Sequence, residues 1–362
     1  MVNKIHILII GTDPQSGRGG IANALPGYFY ALKQADISFK FIPTHHASAK
    51  GGKWLYWLKA FILISQEIRS AKHFKKKAVL YAHVGGGVIS FFRKTTIAFF
   101  TRMHGCPVTM QIHSAKVAEL LDKPLGKIIF NTMVLSTSSL YVLTPWWKKL
   151  IMTSGVTKPL HIIPNPLDKK WEQIAHIPKS TQDQLQKLTI LTMTRIEKGK
   201  GVELVVEALP YLPDNIHLII AGDGILLPSI RARVNALKLS HRIDFTGWVD
   251  NEQKISLLQN ADIFCLPSSN DSFGMGFIEA MAHGLPIVAL DWGPISDVVP
   301  NELGGILIKQ AESKQLAQAI IELANHPNKR KTMGNYAQQW VLEKFQAETI
   351  GKEIGRAMSA IS

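Results

Sequence analysis

The sequence predicts an α/β chain built from two doubly wound domains, and three observations point there. Its 362 residues exceed what one core supports, since single cores stop growing at about 250–300 residues. Short, nearly continuous apolar runs alternate with helical stretches, the pattern of parallel strands covered on both faces. That series halts at Pro164-Asn165-Pro166 and then starts again. With 46% hydrophobic and 19% charged residues the chain is too apolar to stay disordered.

The elements follow in order. Ile5–Gly11 reads as a buried first strand and Ala22–Lys33 as the helix after it; Phe39–Thr44, Ala78–Val84, Pro107–His113 and Leu140–Pro145 continue the first sheet. After the turn-rich Ile162–Asp168, strand Leu188–Arg195 and a helix over Val202–Leu209 open the second series. His217–Gly224, Ile243–Val249, Asp262–Ser268 and Pro286–Asp291 extend it, and Tyr336–Met358 reads as one or two closing helices. The domains expected are 1–168, 169–340 and a C-terminal helix in 341–362 that packs back on the first. Ligands of such sheets bind at the carboxyl ends of strands, so a cleft between the two domains is the expected active site.

Cys106 and Cys265 lie far apart with no CxxC spacing, which supports neither a disulfide framework nor a structural zinc site and fits a reducing cytoplasm. The apolar run before Gly11 is shorter than a secretory core, and no window reaches the roughly 18 apolar residues of a spanning helix. The expectation is a chain that does not cross a membrane.

Charge is divided unevenly. Residues 1–170 hold 23 Lys and Arg against 6 Asp and Glu, a net +17, while 171–362 hold 18 against 21, a net −3. The first half should meet something anionic: nucleic acid, an anionic membrane leaflet or a phosphorylated acceptor. Within Lys53–Lys77, Trp54, Trp57, Leu58, Phe61 and Ile62 recur near helical spacing beside Lys59, Arg69, Lys72 and Lys75–Lys77. This pattern fits an interfacial amphipathic helix, and equally a helix packed on its own sheet with a solvated basic end. Nucleic acid is disfavoured by the lack of a zinc finger, an RNP-like strand or a helix-turn-helix.

Three segments carry chemistry. The loop after the first strand holds Gly17, Gly19 and Gly20 ahead of a helix; it suits backbone amides approaching a diphosphate, or a plain strand-to-helix turn. Arg195 closes a strand and Lys200-Gly201 precede the next helix, so two cations and a helix N-terminus converge on an anion site. Asp271 and Glu279 are eight residues apart, one in a loop and one inside the helix that ends at Gly284 and Pro286. Free amides around Phe273–Gly276 lie between them, where a diphosphate could sit with carboxylates taking hydroxyls on either side.

Together these residues resemble the retaining nucleotide-sugar glycosyltransferases of the GT-B fold, the glycosyl transferases group 1 family. Asp271 to Glu279 looks like that family's E-x7-E signature followed by EAMA-x-GLP; TRIEKGKGVELVVEAL is similar to its GR-x4-KG stretch, IIPNPLD to its IPNG-V-D, and AGDG to its GDG turn. The likeness is close over Ile162–Leu307. It implies two Rossmann-like domains facing a cleft, the acceptor on the first and the donor on the second.

The resemblance also implies roles. Arg195 and Lys200 would neutralise the departing diphosphate, helped by amides near Gly19 and Gly20. Glu279 would hold the ribose hydroxyls, and Asp271 with the amides of Phe273, Gly274 and Met275 the donor sugar. His113 matches a histidine lying against that sugar, Asn165 lies in the IPNG-like stretch, and Trp248 and Val249 lie where the base would be chosen. Asp271 departs from the pattern by being one methylene shorter than Glu, and Pro166 by replacing Gly and removing a donor.

The implied reaction is retaining, hexosyltransferase-type transfer from a UDP- or GDP-sugar to a glycan or lipid-linked acceptor, in polysaccharide, lipopolysaccharide or glycolipid synthesis. The nucleotide sugar is co-substrate, with no cofactor and no metal. The setting implied is cytoplasmic, peripheral on the inner face of the plasma membrane through the basic half. The rivals are a sugar-nucleotide epimerase on the same fold and a catalytically silent membrane-docking scaffold. The R-x4-KG and Asp271–Glu279 motifs argue against the first, and intact Arg195, Lys200 and Glu279 against the second.

Overall fold

The structure is a computed structural model that describes residues 4–16, 19–45, 52–179 and 187–362, without the side chains of 52 and 53. Gly17 and the side chain of Lys53 lie outside the described residues. The chain divides into two units, Met1–Lys169 with Phe345–Ser362, and Lys170–Lys344.

The first unit is a six-stranded parallel sheet in the order β2-β1-β3-β4-β5-β6. Its elements are β1 (Ile5–Thr12), α1 (Gly20–Gln34), β2 (Ser38–His45), α2 (Gly52–His73), β3 (Lys77–Val84), α3 (Val88–Met103), β4 (Val108–Ile112), α4 (Lys116–Leu121), α5 (Pro124–Leu135), β5 (Ser139–Val142), α6 (Pro145–Thr153) and β6 (Leu160–Ile162). β1 is the hinge of the order, pairing with β2 through Ile9↔Phe41 and with β3 through Ile7↔Val79. Ile7, Leu8, Ile9, Val79, Leu80 and Tyr81 are all buried because right-handed crossovers cover both faces. α2, α3 and α5 pack in succession in one layer. α2 turns Ala60, Ile64, Ile68 and Ala71 to the sheet and leaves Trp54, Leu58 and Ile62 outside. Trp57 and Phe61 lean instead on α3, where Trp57 meets Thr96 and Phe61 meets Phe100.

The second unit begins with α7 (Lys169–Ala175) and holds a second parallel sheet in the order β12-β11-β10-β7-β8-β9. Its elements are β7 (Leu188–Met193), α8 (Val202–Ala208), β8 (Ile216–Ala221), α9 (Leu227–Ala236), β9 (Ile243–Gly247), α10 (Asn251–Asn260), β10 (Ile263–Leu266), α11 (Met275–Ala282), β11 (Ile287–Leu290), α12 (Ile295–Val298), β12 (Gly305–Ile308), α13 (Ser313–Asn325) and α14 (Pro327–Phe345). Ile190, Leu218, Ile263 and Val288 meet Val205, Leu316 and Ile320 in its core. α11 ends at Gly284, whose φ of +67° is the left-handed stop that a C-terminal glycine supplies.

The last helix, α15 (Ala347–Ser359), returns to the first unit and packs on α1. A Cβ at Gly351 would stand 2.1 Å from the Ala31 carbonyl oxygen, so the two helices approach at backbone distance. Among the described residues no helix is long and apolar enough to cross a membrane.

Candidate active site

In the second sheet the chain runs from β7 outward to β8 but from β10 the other way to β11. β7 and β10 are therefore the neighbours between which the winding reverses, the place where doubly wound sheets bind ligands. The loops leaving their carboxyl ends carry Arg195, Lys200 and Asp271, and they are locked together. The Ser269 amide donates to Gly199 O (2.8 Å) and Ser268 Oγ to the same oxygen (3.1 Å). Gly201, at φ +73°, lies where a Cβ would meet Pro267 O at 2.3 Å. Only glycine fits that crossing.

Lys200 is not the free cation its place in the sequence suggests. It is buried, 7% exposed, and its Nζ donates to Asp271 Oδ1 (2.7 Å) and to Asn270 O (3.0 Å). The shorter Asp side chain thus still reaches the lysine. Asp271 Oδ2 is buried and has no hydrogen-bond partner among the described residues, leaving an acceptor ready for a hydroxyl. Arg195 is half-exposed and pairs with Glu197 at 3.1 Å, a contact worth little in solvent and readily exchanged for a diphosphate.

α11 starts at the same end. Gly274 caps it at φ +82° with its Cβ direction filled by the Phe277 ring, and Phe273 is buried. Met275 opens the helix four residues after Asp271, and its first amides lack i−4 partners within the helix. Glu279 lies deeper and is almost fully buried. Sequence reasoning missed its partner, because nothing local links residues 25 apart: Lys254 of α10 donates to both carboxylate oxygens, at 3.1 and 3.0 Å. The Lys254 ammonium stands 5.6 Å from the centroid of Trp171. His283 donates from Nδ1 to Glu279 O (2.9 Å), and burial lowers its pKa to about 4. Trp248 is exposed beside half-buried Val249, between β9 and the Asp250 cap of α10.

The first sheet reverses between β1 and β3. Gly19 caps α1 at φ +107°, and among the described residues nothing lies within 4 Å of a Cβ built on Gly19 or Gly20. At the carboxyl ends of β3 and β4, His83 Nδ1 and His113 Nε2 are 2.8 Å apart. Burial holds both neutral, His113 down to about 3. His83 went unnoticed, although a lone titratable residue inside the apolar run AVLYAHV was a readable signal.

Asn165 lies one side chain away from this pair, since the Tyr28 ring stands edge-on to His83 and His113 at 4.7 and 6.0 Å between centroids. It is buried in the first unit, where its Oδ1 accepts from the Tyr28 hydroxyl (3.0 Å). The physical reason is the turn around it: a Cβ on Gly27 of α1 would stand 2.3 Å from Pro166 O, so the turn is pressed on α1 and its asparagine faces inward. Gln111 Nε2 completes the network to Tyr28 and to Ile163 O, both at 2.6 Å.

Residues 173–340 match the family described as glycosyl transferases group 1. An uncharacterized glycosyltransferase of Methanocaldococcus jannaschii is 27% identical over 189 residues, 52% of this chain and 48% of the relative. The GDP-mannose-dependent alpha-(1-6)-phosphatidylinositol monomannoside mannosyltransferase of Mycobacterium tuberculosis is 25% identical over 176 residues, 46% of each chain. The chain thus spans about half the length of these curated relatives. The crystal structure of Anabaena HepE with UDP and glucose superposes with a TM-score of 0.73 at 17% identity, over 98% of this chain and 99% of that one. The match to the glycosyl transferases group 1 family thus covers nearly all of the second unit, and the chain has the GT-B fold.

Proposed function

We propose that the protein is a retaining glycosyltransferase that moves a sugar from a nucleoside-diphosphate donor to a glycan or lipid-linked hydroxyl. One observation carries the reading: Lys200, Asp271 and the start of α11 meet at the reversal of the second sheet, with Glu279 one step further along the same helix. The donor diphosphate takes the third proton of Lys200 and, after Arg195 leaves Glu197, that guanidinium as well. Developing charge on the leaving phosphate is thereby stabilised in a water-poor site. The sugar carbon parts from the diphosphate oxygen and bonds to the acceptor oxygen on the same face, and the departing phosphate takes the hydroxyl proton. Asp271 Oδ2 accepts a sugar hydroxyl, Glu279 the ribose diol. No step in this proposal needs a metal ion or a cofactor.

The choice of acceptor is supported by charge: the unit that holds Met1–Lys169 and Phe345–Ser362 carries 24 Lys and Arg against 8 Asp and Glu, which suits a phosphate-bearing acceptor. The test is a thermal-shift panel of UDP, GDP and ADP in EDTA, on wild type and Glu279→Ala. A ligand at 100 times its Kd adds roughly 2.7 kcal/mol. One base stabilising the wild type and not the variant is expected; no shift with any nucleotide would return the scaffold reading to the front.

A further inference from the structure

His83 and His113 close the carboxyl ends of β3 and β4 as one hydrogen-bonded pair. Nδ1 of the first and Nε2 of the second are 2.8 Å apart, with ring centroids at 4.9 Å and 30° between the planes. That is one ring bonded nitrogen to nitrogen with the next, not two faces laid together. Burial keeps both rings neutral well below the ordinary histidine range. Each neutral ring carries one N–H, so the bond between them has a direction: one ring gives the proton and the other accepts it.

The surroundings of His83 fix that direction. The ring is fully buried, with Tyr28 and Tyr81 at 4.7 and 4.5 Å between centroids, and its Nε2 has no hydrogen-bond partner among the described residues. Were Nδ1 the acceptor, the ring's one proton would sit on Nε2 as a buried N–H with nothing to receive it. Orphaned buried N–H groups are rarer than acceptors left short of a partner. The local field agrees. The two nitrogens of an imidazole point nearly opposite ways, so an Nδ1 facing β4 turns Nε2 away from it, to the side where the Lys94 ammonium is bonded to Thr44 of β2. The charge of Lys94 is felt at His83, and a lone pair suits that field where an N–H does not.

We infer that His83 is a positioning residue: it donates from Nδ1 to Nε2 of His113 and so holds the His113 ring as its Nδ1–H tautomer. Which nitrogen of a histidine carries the proton is set by the bond that the other one makes. With Nε2 taken up as an acceptor, His113 has an N–H donor on its other side. A ring held in this way gives a hydrogen bond to an oxygen and takes no proton, which leaves the acceptor's proton to the departing phosphate. That last consequence rests on the function proposed above. The tautomer itself depends on neither donor nor acceptor.

Two-bond proton–nitrogen spectra of the whole chain, labelled at histidine, read the tautomer without any substrate, and His113→Gln identifies the His113 signals. At neutral pH both rings of the wild type should show a protonated Nδ1 and a bare Nε2. His83→Phe should move the His113 proton to Nε2. His83→Asn, whose amide nitrogen takes the place of Nδ1, should put it back, a rescue that filling the space alone does not give. For whichever of UDP-glucose and GDP-mannose the wild type cleaves, His83→Phe should lower kcat about tenfold with KM nearly unchanged, and His83→Asn should recover most of the loss. A His113 proton on Nε2 in the wild type overturns the inference, as does a His113 signal that His83→Phe leaves unmoved. So does a His83→Asn variant that melts like the wild type and still fails to restore the Nδ1–H form. The expected tautomers with no cleavage of either nucleotide sugar would support the pair and count against the proposed function.

Discussion

Lys254 holds Glu279 by both oxygens, and its replacement shows what that carboxylate is for. If the lysine fixes a carboxylate that takes the ribose diol, Lys254→Met should weaken UDP binding about tenfold or more, as breaking a buried charge pair costs several kcal/mol. The same variant should bind 2′,3′-dideoxy-UDP as the wild type does, by calorimetry. Wild type that fails to distinguish the two nucleotides would refute the ribose assignment itself; a variant that still distinguishes them would refute the lysine's role. His283 gives a pH prediction. Its folded pKa of about 4 lies below the ordinary 6.5, so the unfolded chain binds the proton first as pH falls. Stability should drop by about 1.4 kcal/mol per pH unit between 6.5 and about 4 on its account, and His283→Asn, which keeps a donor for Glu279 O, should flatten that stretch of the Tm–pH curve. At this scale the sequence exposed Lys200 in the loop after β7, and Asp271 and Glu279 through their spacing along a second loop and the helix it feeds. It hid Lys254 and His83, whose partners come from other elements, and the bond between Asn165 and Tyr28 of α1, which has no local signature.

Loops are held as tightly as side chains. Gly201 and Gly247 share nearly the same positive φ, +73° and +71°, but a Cβ on the first meets Pro267 O at 2.3 Å and on the second meets nothing within 4 Å. Gly247→Ala should cost about 1–2 kcal/mol, the left-handed penalty alone. Gly201→Ala adds a clash with backbone and should cost about 3 kcal/mol or more; chemical denaturation of both variants measures the gap. Equal costs would mean that the two loops are not locked at this point. Most elements were legible because each long apolar run ends in a turn signal. β6, three residues long, was not, being too short for periodicity to register, and β12 was passed over although β5, β10 and β11 of the same length were read. The start of α14 was set at Tyr336, nine residues after its proline N-terminus at Pro327, because its polar first turns carry no apolar stripe.

For the whole molecule, two series of strands separated by a proline-rich break were enough to read two units. The return of the last helix to the first unit could be expected from the fold family but not from any pairing visible along the chain. Its grip is specific: Gly351 lies against Ala31 O, and Ala347, Ile350, Ile354 and Met358 are buried. Deleting 346–362 should therefore lower the calorimetric transition of the first unit by about 5 °C or more, on the order of 2 kcal/mol or more at about 2–4 °C per kcal/mol for a unit of this size, and leave the transition of the second in place. Equal loss from both transitions would mean that α15 supports more than the sheet it touches. The Leu167 amide donates to Phe345 O (2.9 Å), so the chain leaves the first unit and re-enters it at neighbouring points. During synthesis the first unit must wait, its α1 face bare, until the second has been made in full. A ribosome that stops early leaves a complete second unit joined to an unfinished first one, with the α1 face that α15 would cover left open.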